Sequence, residues 1–513
     1  MAVPEEIRKV PRPKNTIVVA YGKNKDKYAV KSRIGCKSVN GRKIPIDGPT
    51  IGHIIDGAYV EDVDLPGMKH SDCDYRRWAD VQLCCNLSQD ILKDLRQFYD
   101  EKEAMRTYAI AVLRSVEPDI NDYELDETYQ DTWLSVRYPG IGLSRNTVSE
   151  HISQLGRTCS RISKFMVMRA GRVNADHHVV VDGTLKSDES TVNTFSDFSR
   201  KALKKGTRDI SVIYAYDVET GEPICSKAYP GNTIDIAALG DFISTNNVDK
   251  GIIVADKGFS YRAAKKSFDD RPDLHFLIPL KRDSKIIREF KMYEYNASVP
   301  GYDGLACRKE RMFDGKFLYS FRDPYRAMEE ERTWMAGKSD IDPRELSELR
   351  KEFGSIVFMS DVDMESAIAY KAYDERWAIE VMFMFYKDIL KFDQTRVHED
   401  WSVIGTEFIN FLSVIMTYKM RKAFEKVPEL SGVPYNHVLK KLRRASMMMD
   451  ASGNWMIRKI TDSDRNILIN LGLLPRIIDV KNPRGRPKKE HSESKTKRPR
   501  GRPRKDSSSE GEV

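Results

Sequence analysis

Four polar side chains in the last third of the chain recur at helical spacing: Tyr373, Arg376, Glu380 and Lys387. At about 100° per residue they fall within roughly a 60° arc, while the opposite side of the same helix is apolar and suited to burial. A carboxylate between two cations suits a hard metal ion and the phosphate oxygens around it. An Arg-Glu pair four residues apart is also typical of a solvated ion pair, so this helix alone leaves both interpretations open.

Two aspartates upstream follow short apolar runs that predict buried strands. Asp182 follows VVV and Asp256 follows IIVA, and a glycine comes one or two residues after each. Neighbouring strand ends place two such carboxylates within a few ångströms, which is costly unless a cation neutralises them. Asp-Gly is also a common turn pair, and a turn remains the alternative for either aspartate alone.

Together with Glu380, these aspartates make three hard oxygen donors. Such a set suits Mg²⁺ or Mn²⁺, which prefer carboxylates and retained waters. Two such ions about 3.5–4 Å apart can activate water on one side of a phosphodiester and stabilise the leaving oxygen on the other. Asp182, Asp256 and Glu380 are therefore the candidate ligands of such a metal pair.

The elements around these carboxylates predict an α/β core with a mixed sheet. HHVVVDGT, DISVIYAYDV and PICSKAYPG indicate three successive strands, and helix, strand, helix and strand follow. With the later helix that bears Glu380, this is the element order of a ribonuclease-H-like fold. The core is predicted over residues 171–281 and 363–475, the latter ending in helices. A β-rich subdomain, residues 282–362, is expected as an insertion, with a hairpin turn at Asp314-Gly315.

Two regions precede this core. Residues 1–70 indicate a small β-rich module of unknown role, with turn signals at Asn40-Gly41 and Asp47-Gly48-Pro49. Residues 71–170 have the apolar periodicity of helices and predict an α-helical DNA-binding region.

A helix-turn-helix is predicted near residues 128–156 of that helical region. Pro139-Gly140 ends its first helix, and Ser144 is the candidate N-cap of its second. The second helix offers these side chains to a DNA groove: Arg145, Asn146, Thr147 and Glu150. An ordinary helical hairpin has the same pattern and is the alternative.

The positive charge of the chain is concentrated at its C-terminus. The formal net charge is +8, yet residues 481–505 hold 12 Lys/Arg and two Glu, a net of +10. From Val480 onward the chain is too polar to bury a core, which predicts a disordered tail, residues 476–513, for a polyanionic partner. Two Pro-Arg-Gly-Arg-Pro sequences in it resemble AT-hooks, in which Arg-Gly-Arg lies in a narrow A·T-rich minor groove. The candidate contacts are Arg484, Gly485, Arg486, Arg500, Gly501 and Arg502. A generic basic tail would bind DNA without that groove preference.

Composition excludes several other classes. No run of about 18 apolar residues occurs and the N-terminus lacks an apolar segment, so we expect neither a membrane span nor a signal peptide. Seven cysteines lack metal-binding spacing, which argues against zinc and disulfides and favours reduced, intracellular thiols. His177, His178 and His398 flank the motifs and are expected to pack or lie at the surface rather than bind metal.

The motifs together resemble the insertion-sequence DDE transposases with a ribonuclease-H-like catalytic domain, in the branch defined by a Y-R-E-K signature. The resemblance rests on Asp182-Gly-Thr, Asp256-Lys-Gly-Phe and the Tyr-x2-Arg-x3-Glu-x6-Lys pattern of residues 373–387. It implies that the three carboxylates hold two divalent metals. It also implies that three signature residues contact phosphates of the transposon end: Tyr373, Arg376 and Lys387.

The same resemblance implies the partners and the reaction. The partners are DNA at the terminal inverted repeats, target DNA, and a second copy of the chain in a homodimeric end-pairing complex. The reaction is hydrolysis at the element's ends, then attack of the freed 3′-hydroxyl on target DNA. Trp334 in the inserted segment is a candidate for stacking on an unpaired base, as in some relatives, although a structural tryptophan is commoner.

The favoured interpretation is a DNA transposase located with the nucleoid in the cytoplasm of a prokaryotic cell. One alternative is a catalytically silent architectural or regulatory DNA-binding protein derived from such an enzyme, which the complete carboxylate set disfavours. Another is a structure-selective nuclease on the same fold, which would not need the Y-R-E-K phosphate contacts.

Overall fold

The computed structural model of the chain describes residues 3–21, 27–39, 42–55, 57–61, 74–199, 206–233, 235–255, 261–336, 338, 340–450 and 453–475. Residues up to Leu474 form one unit and those from Pro475 onward a second, of which only Pro475 is described. The tail with both Arg-Gly-Arg sequences therefore lies outside the described residues, and so does Asp256. No helix in the described ranges is long and apolar enough to cross a membrane.

The N-terminal region forms a four-stranded antiparallel sheet in the order β1-β2-β3-β4. Its elements are α1 (Glu5–Arg8), β1 (Thr16–Tyr21), β2 (Lys27–Val39), β3 (Arg42–Ile55) and β4 (Ala58–Glu61). Val18, Val30 and Ile54 contribute to a small core of its own. The turn expected at residues 47–49 is wrong, because Asp47 lies within β3, where shifts of register against β2 absorb the irregular sequence.

A helical region follows, as the apolar periodicity predicts. Its elements are β5 (Tyr75–Arg77), α2 (Ala79–Leu87), α3 (Gln89–Leu95), α4 (Glu101–Val116), α5 (Leu125–Asp131), α6 (Leu134–Arg137), α7 (Arg145–Arg157) and α8 (Cys159–Ala170). Ser144 caps α7, and its hydroxyl accepts a hydrogen bond from the Thr147 amide at 3.5 Å. The connection from α6 to α7 spans residues 138–144. It is longer than the turn of about three or four residues that is typical of a helix-turn-helix.

One mixed sheet carries Asp182 in its strand β6. Its strands and intervening helices are β6 (His178–Ser187), β7 (Asp197–Phe198), β8 (Arg208–Asp217), β9 (Glu222–Pro230), α9 (Asp235–Asn246), β10 (Gly251–Ala255), α10 (Tyr261–Asp269), β11 (Leu274–Pro279), α11 (Lys285–Glu289), β12 (Ala297–Ser298), β13 (Ala306–Arg311), β14 (Phe317–Arg322), α12 (Pro324–Met335), α13 (Pro343–Glu352) and β15 (Ser355–Ser360). The strand order is β12-β13-β14-β15-β11-β10-β6-β8-β7, and β9 also pairs with β8. β10 runs parallel to β6 and β11, whereas β8 is antiparallel to β6 and β9.

The strands of residues 282–362 belong to this same sheet. β15 pairs antiparallel with β11, where Ser360 lies opposite Leu277, and β14 pairs with β15 in turn. The predicted hairpin is present as β13 and β14, and Gly315 between them has a φ of 86° that favours glycine. The segment is β-rich as expected, but it extends the central sheet instead of forming a separate one.

The C-terminal helices join the helical region to the sheet. Their elements are α14 (Ser366–Asp374), α15 (Trp377–Met384), a π turn (Phe385–Ile389), α16 (Asp400–Glu425), α17 (Tyr435–Leu442), β16 (Ser446–Met449), β17 (Trp455–Ile457) and α18 (Asp462–Asn470). Strand β16 pairs with β5 of the helical region. Buried residues from Trp78 to Leu468 form one hydrophobic core, although the sequence predicts a helical region apart from the catalytic core.

Helices α7 and α16 cross at two glycines. A Cβ atom on Gly156 would lie 1.8 Å from the Trp401 carbonyl oxygen, and one on Gly405 would lie 2.0 Å from the Ile152 carbonyl oxygen. Backbone therefore meets backbone at this crossing, an approach that a residue with a Cβ atom would block. The crossing fixes the position of α7 relative to the long helix behind the sheet.

Candidate active site

Asp182 lies inside a strand rather than at its end. β6 continues to Ser187, and Gly183 pairs with Ile213 of β8 instead of forming a turn. The turn alternative for Asp182-Gly183 is therefore wrong, and so is the expectation of a strand end. The Asp182 carboxylate is half-buried and accepts a hydrogen bond from the Gly183 amide at 2.8 Å.

Strand β10 runs beside β6 and ends at Ala255, the residue that precedes Asp256 in the sequence. The two strands are parallel, and Ala255, the last residue of β10, pairs with Val181. These paired residues immediately precede the two aspartates in the sequence. Asp256 follows Ala255 by one peptide bond and lies outside the described residues.

The helix that bears Glu380 covers the face of the sheet on which Asp182 lies. Asp182 pairs with Tyr214 across β6 and β8, and directly opposed residues of antiparallel strands share a face. The Tyr214 ring contacts Phe383 of α15 at 5.9 Å and Tyr386 of the π turn at 6.0 Å between centroids. Glu380 lies about one helical turn before Phe383. The fold thus brings Asp182 and Glu380 to one side of the sheet.

Residues 373–387 do not form one regular helix. α14 ends at Asp374 and α15 begins at Trp377. Between them the Arg376 amide donates a 3.1 Å hydrogen bond to the carbonyl of Tyr373, three residues earlier, which makes a tighter turn than that of an α-helix. The chain then widens into the π turn, a rare conformation that is frequent at functional sites. The single arc predicted for the four signature side chains is therefore wrong, because two irregular turns rotate the ends of the segment relative to its middle.

Three of the four signature residues remain neighbours. The Arg376 guanidinium lies 2.9 Å from Glu380 Oε1 and 5.6 Å from the Tyr373 ring centroid. That ring packs 4.8 Å from Phe358 of β15, so the sheet extension positions Tyr373. The donor set fits a hard divalent cation: the carboxylates of β6 and α15 are oxygen donors, and Glu380 already accepts a cationic group.

Lys387 lies apart from those three residues. It is half-buried in the π turn, and burial lowers the pKa of its ammonium group. Three carboxylates oppose that effect: Asp393, Asp388 and Asp209. Asp209 lies five residues before Tyr214 on β8, a distance of roughly 17 Å along the strand. The positive charge of Lys387 therefore acts further along the sheet than Asp182.

A buried ion pair that was not predicted from the sequence connects the π turn to the sheet. Lys186 of β6 is 2% exposed, and its Nζ atom lies 2.6 Å from Glu407 Oε1 of α16. The Tyr386 hydroxyl donates to Glu407 Oε2 at 2.7 Å, and Asn410 donates to Oε1 at 3.0 Å. A carboxylate this buried persists only when it is paired and hydrogen-bonded. The available signal was a glutamate inside the apolar helix sequence EFINFL.

The side chains predicted to face a DNA groove lie at the surface of α7. Arg145 and Asn146 are exposed and Thr147 is half-buried. Arg145 also lines a cavity of about 490 Å³ together with Lys391 and Arg396, which follow the π turn. Five cations and two carboxylates line this cavity, so it is basic. The structure thus brings the start of α7 to the segment that follows the signature residues.

A separate group of possible metal ligands lies at the start of β6. His177, Asp217 and Glu219 bring donor atoms within 4.8 Å of one another. Nδ1 of His177 lies 2.8 Å from Asp217, which raises the pKa of that imidazole, and His178 Nδ1 lies 2.7 Å from Glu219. Each histidine therefore has a carboxylate partner, as in a structural ion pair, and this group is distinct from the Asp182 site.

Two tryptophans, one from the inserted segment and one beside Arg376, differ in exposure. Trp334 of α12 is half-buried, and the Lys338 ammonium lies 3.4 Å from its ring centroid, so one ring face is already covered. Trp377 is 65% exposed and adjoins Arg376 about one turn from Glu380. Trp377 was not predicted as a site residue, and its signal in the sequence is an aromatic residue inside the Arg-x3-Glu spacing.

The part of the chain that holds this site is similar to a known protein family. Residues 175–414 match the family model described as a transposase DDE domain, which supports a DDE-type transposase. Among solved structures, the chain is similar to a cryo-EM structure of the piggyBac transposase synaptic complex with hairpin DNA. The identity is 12% and the TM-score 0.40, and the match covers 78% of this chain and 86% of that one. No curated protein matches the chain.

Proposed function

We propose that this chain is a DNA transposase that cuts DNA at the ends of its element and joins the freed ends to target DNA. One observation carries the proposal: the segment that matches a transposase DDE domain holds Asp182 and Glu380 on one side of a sheet whose neighbouring strand leads to Asp256. The path β9-β8-β6-β10-β11 through the sheet supports a ribonuclease-H-like core. The signature residues support the Y-R-E-K branch.

The carboxylates of Asp182, Asp256 and Glu380 would hold Mg²⁺ or Mn²⁺, two ions per site, since all three donors are hard oxygens. Bound there, the ions supply positive charge that acidifies water and stabilises a leaving oxygen. Hydrolysis of a phosphodiester frees a 3′-hydroxyl at the element's end. Attack of that hydroxyl on a target phosphodiester then exchanges one phosphorus–oxygen bond for another.

The signature residues orient the DNA for these steps. Arg376 has the planar fork that binds two phosphate oxygens, and Tyr373 beside it offers a hydroxyl. Burial disfavours the charged form of Lys387, and a phosphate bound nearby would stabilise that charge. In this proposal a DNA strand contacts Arg376 beside Glu380 and Lys387 further along the sheet.

The helical region supplies end recognition in this proposal. Arg145, Asn146 and Thr147 at the start of α7 are assigned to the terminal inverted repeats because of their position and polarity. The long connection before α7 departs from a helix-turn-helix, so the assignment does not depend on that motif. Target DNA is the second nucleic-acid partner, and a homodimer pairs the two ends. A nucleoid-associated location in a prokaryotic cytoplasm belongs to the same proposal.

Purified protein incubated with labelled DNA that carries the inverted repeats flanking the gene tests this function. We expect nicks at the repeat termini that require Mg²⁺ or Mn²⁺, and joining of those ends to a supercoiled target. Binding without cutting in either metal would contradict the proposal and favour a silent DNA-binding protein. Cutting governed by DNA structure rather than by repeat sequence would favour a nuclease.

Removal of residues 481–513 is expected to weaken DNA binding and to make it less dependent on salt. The segment holds 12 Lys/Arg against five Asp/Glu, and each lost phosphate contact lowers the salt slope by about 0.9. The proposed AT-hooks predict a greater loss on A·T-rich than on G·C-rich duplexes. Dissociation constants measured over a salt series on both duplexes check this, and equal affinities for truncated and full-length protein would contradict it. Cleavage of pre-bound ends should survive.

Arg376→Ala is expected to slow end cleavage about 100-fold while leaving the Mg²⁺ dependence nearly unchanged, since misplacing the substrate costs rate without removing a metal ligand. Single-turnover rates at saturating DNA, measured over a Mg²⁺ series, provide the comparison. Arg376→Lys is the matched control, because it keeps the charge but not the fork and should recover only part of the rate. Lys387→Ala should act in the same direction. Wild-type cleavage by either alanine variant would show that the residue does not position DNA.

A further inference from the structure

The hairpin of β2 and β3 extends well beyond its neighbours in the N-terminal sheet. β1 pairs with β2 only as far as Ser32, and β4 pairs with β3 only from Gly52. Residues 33–39 and 42–47 continue as a two-stranded ribbon, which within the described residues has no further strand partner. At about 3.4 Å per residue, the ribbon is roughly 20 Å long.

Burial does not account for this ribbon. The small core of the N-terminal sheet takes its buried residues from Val10, Val18, Val30 and Ile54, none of which lies in the ribbon. The described ribbon side chains, residues 33–37, 43 and 45–47, are all exposed. An isolated two-stranded hairpin is at best marginally stable in water, so such an extension favours a role in contacting a partner.

The ribbon surface is basic. β2 and β3 together hold six Lys/Arg and one Asp. Arg33, Lys37 and Lys43 are exposed, and none of the three forms an ion pair with another described residue. Exposed cations along a strand edge also repel a second copy of the same edge, which disfavours self-pairing.

Two apolar side chains accompany these cations. Ile34 is 68% exposed and Ile46 is 38% exposed. Register shifts between β2 and β3 near residues 30–35 disrupt the ladder, and such bulges strengthen the twist of a two-stranded ribbon. A twisted ribbon that carries cations and a few apolar side chains matches the major groove of DNA, which is about 12 Å wide and admits a two-stranded ribbon.

We propose that the ribbon, residues 33–39 and 42–47, binds duplex DNA in the major groove. Arg33, Lys37 and Lys43 contact phosphates at the groove walls, and Ile34 lies among the base edges, where thymine methyl groups are apolar partners. The proposal rests on the proposed function only in taking DNA as the partner. It assigns a role to the N-terminal region apart from the signature residues and the tail.

The first test compares two triple variants of the full-length chain. Arg33→Ala/Lys37→Ala/Lys43→Ala removes the ribbon cations, and Lys93→Ala/Lys102→Ala/Lys250→Ala removes three exposed lysines elsewhere. The probe is a random-sequence duplex of about 25 base pairs, longer than two helical turns. We expect the ribbon variant to bind at least about tenfold more weakly than the control variant and to lower the salt slope by about 2 to 3.

The second test keeps all the charges and uses the ribbon's own thiol. Cys36 lies on the ribbon and Cys159 on α8, and both are exposed. After Cys73→Ser, a photo-cross-linker is attached at Cys36 in a Cys159→Ser chain, or at Cys159 in a Cys36→Ser chain. Irradiation should join the same duplex to Cys36 several times more efficiently than to Cys159.

These outcomes separate the ribbon from the transposase proposal, because binding of a random duplex requires no cleavage. Equal affinities for both triple variants, or equal cross-linking at both thiols, would overturn the ribbon assignment even if the ends are cut. A ribbon variant that changes oligomeric state in size-exclusion chromatography but keeps its DNA affinity would also overturn it and assign the ribbon to a second copy. Loss of binding with Cys36 cross-linking supports the ribbon even in a protein that cuts no ends.

Discussion

Asp182→Asn is expected to leave the fold intact and to reduce strand cleavage by about a thousandfold or more. Asparagine has nearly the same volume and can still accept the hydrogen bond from the Gly183 amide, but it lacks the charge that holds a hard cation. Strand β6 is paired with β8 on one side and β10 on the other, so the strand itself should not move. The measurement is the rate of Mg²⁺- or Mn²⁺-dependent nicking of labelled end DNA, beside a binding isotherm on the same protein.

Related variants sharpen this test. Asp256→Asn and Glu380→Gln should have effects of similar size, and combining either with Asp182→Asn should add little, because ligands of one site act as a unit. Asp283→Asn, at an exposed position between β11 and α11, is the matched control and should cut at the wild-type rate. DNA binding should survive or tighten, since a carboxylate that repels phosphate is gone. Undiminished cutting by Asp182→Asn would remove this residue from the site.

Gly405→Ala is expected to destabilise the chain by about 3 kcal/mol, the upper part of the range for overpacking. The new methyl group would lie 2.0 Å from the Ile152 carbonyl oxygen, where no flexible side chain can move aside. Relief requires α7 and α16 to separate, which also displaces Arg145 at the start of α7. Thermal unfolding followed by circular dichroism should give a lower midpoint, and Gly156→Ala should behave alike because its methyl group would meet the Trp401 carbonyl oxygen at 1.8 Å.

Gly142→Ala is the matched control for the crossing. Gly142 precedes α7, and the nearest atom to its Cβ position, in the Arg106 guanidinium, is 3.8 Å away, an ordinary contact. This variant should unfold within a degree or so of the wild type, as surface substitutions usually change stability by less than about 0.5 kcal/mol. If Gly405→Ala unfolded at the same temperature as Gly142→Ala, the close approach of α7 and α16 would not be required for stability.

Predictions from local patterns agree with the structure where a single segment determines the result. The apolar runs before Asp182 and Asp256 predict buried strands, and β6 and β10 are present there. The hydroxyl of Ser144 caps α7, because a helix N-terminus leaves amides that a nearby side chain can satisfy. In each case the physical cause lies within a few residues of the pattern.

Predictions failed where contacts between segments far apart in the sequence determine the structure. The glycine after Asp182 suggested a turn, but pairing of Gly183 with Ile213 keeps the chain extended. The sequence of residues 282–362 suggested a separate inserted subdomain, but backbone hydrogen bonds between β15 and β11 place its strands in the central sheet. No local pattern specifies which strand supplies those bonds, because strands of similar composition satisfy an edge equally well.

By itself the sequence determined the candidate oxygen donors, the strand that holds Asp182 and the helix that holds Glu380, because residue type and apolar periodicity act locally. It also determined the basic character of the chain's end. Only the tertiary structure decided that Arg376 lies beside Glu380 while Lys387, in the π turn, lies apart from both. The reason is that packing of Phe383 and Tyr386 on Tyr214 overrides helical periodicity. The tertiary structure also decided that β2 and β3 extend beyond β1 and β4 as a basic ribbon. The lengths of β1 and β4, not the residues of the hairpin, determine where their pairing with β2 and β3 ends.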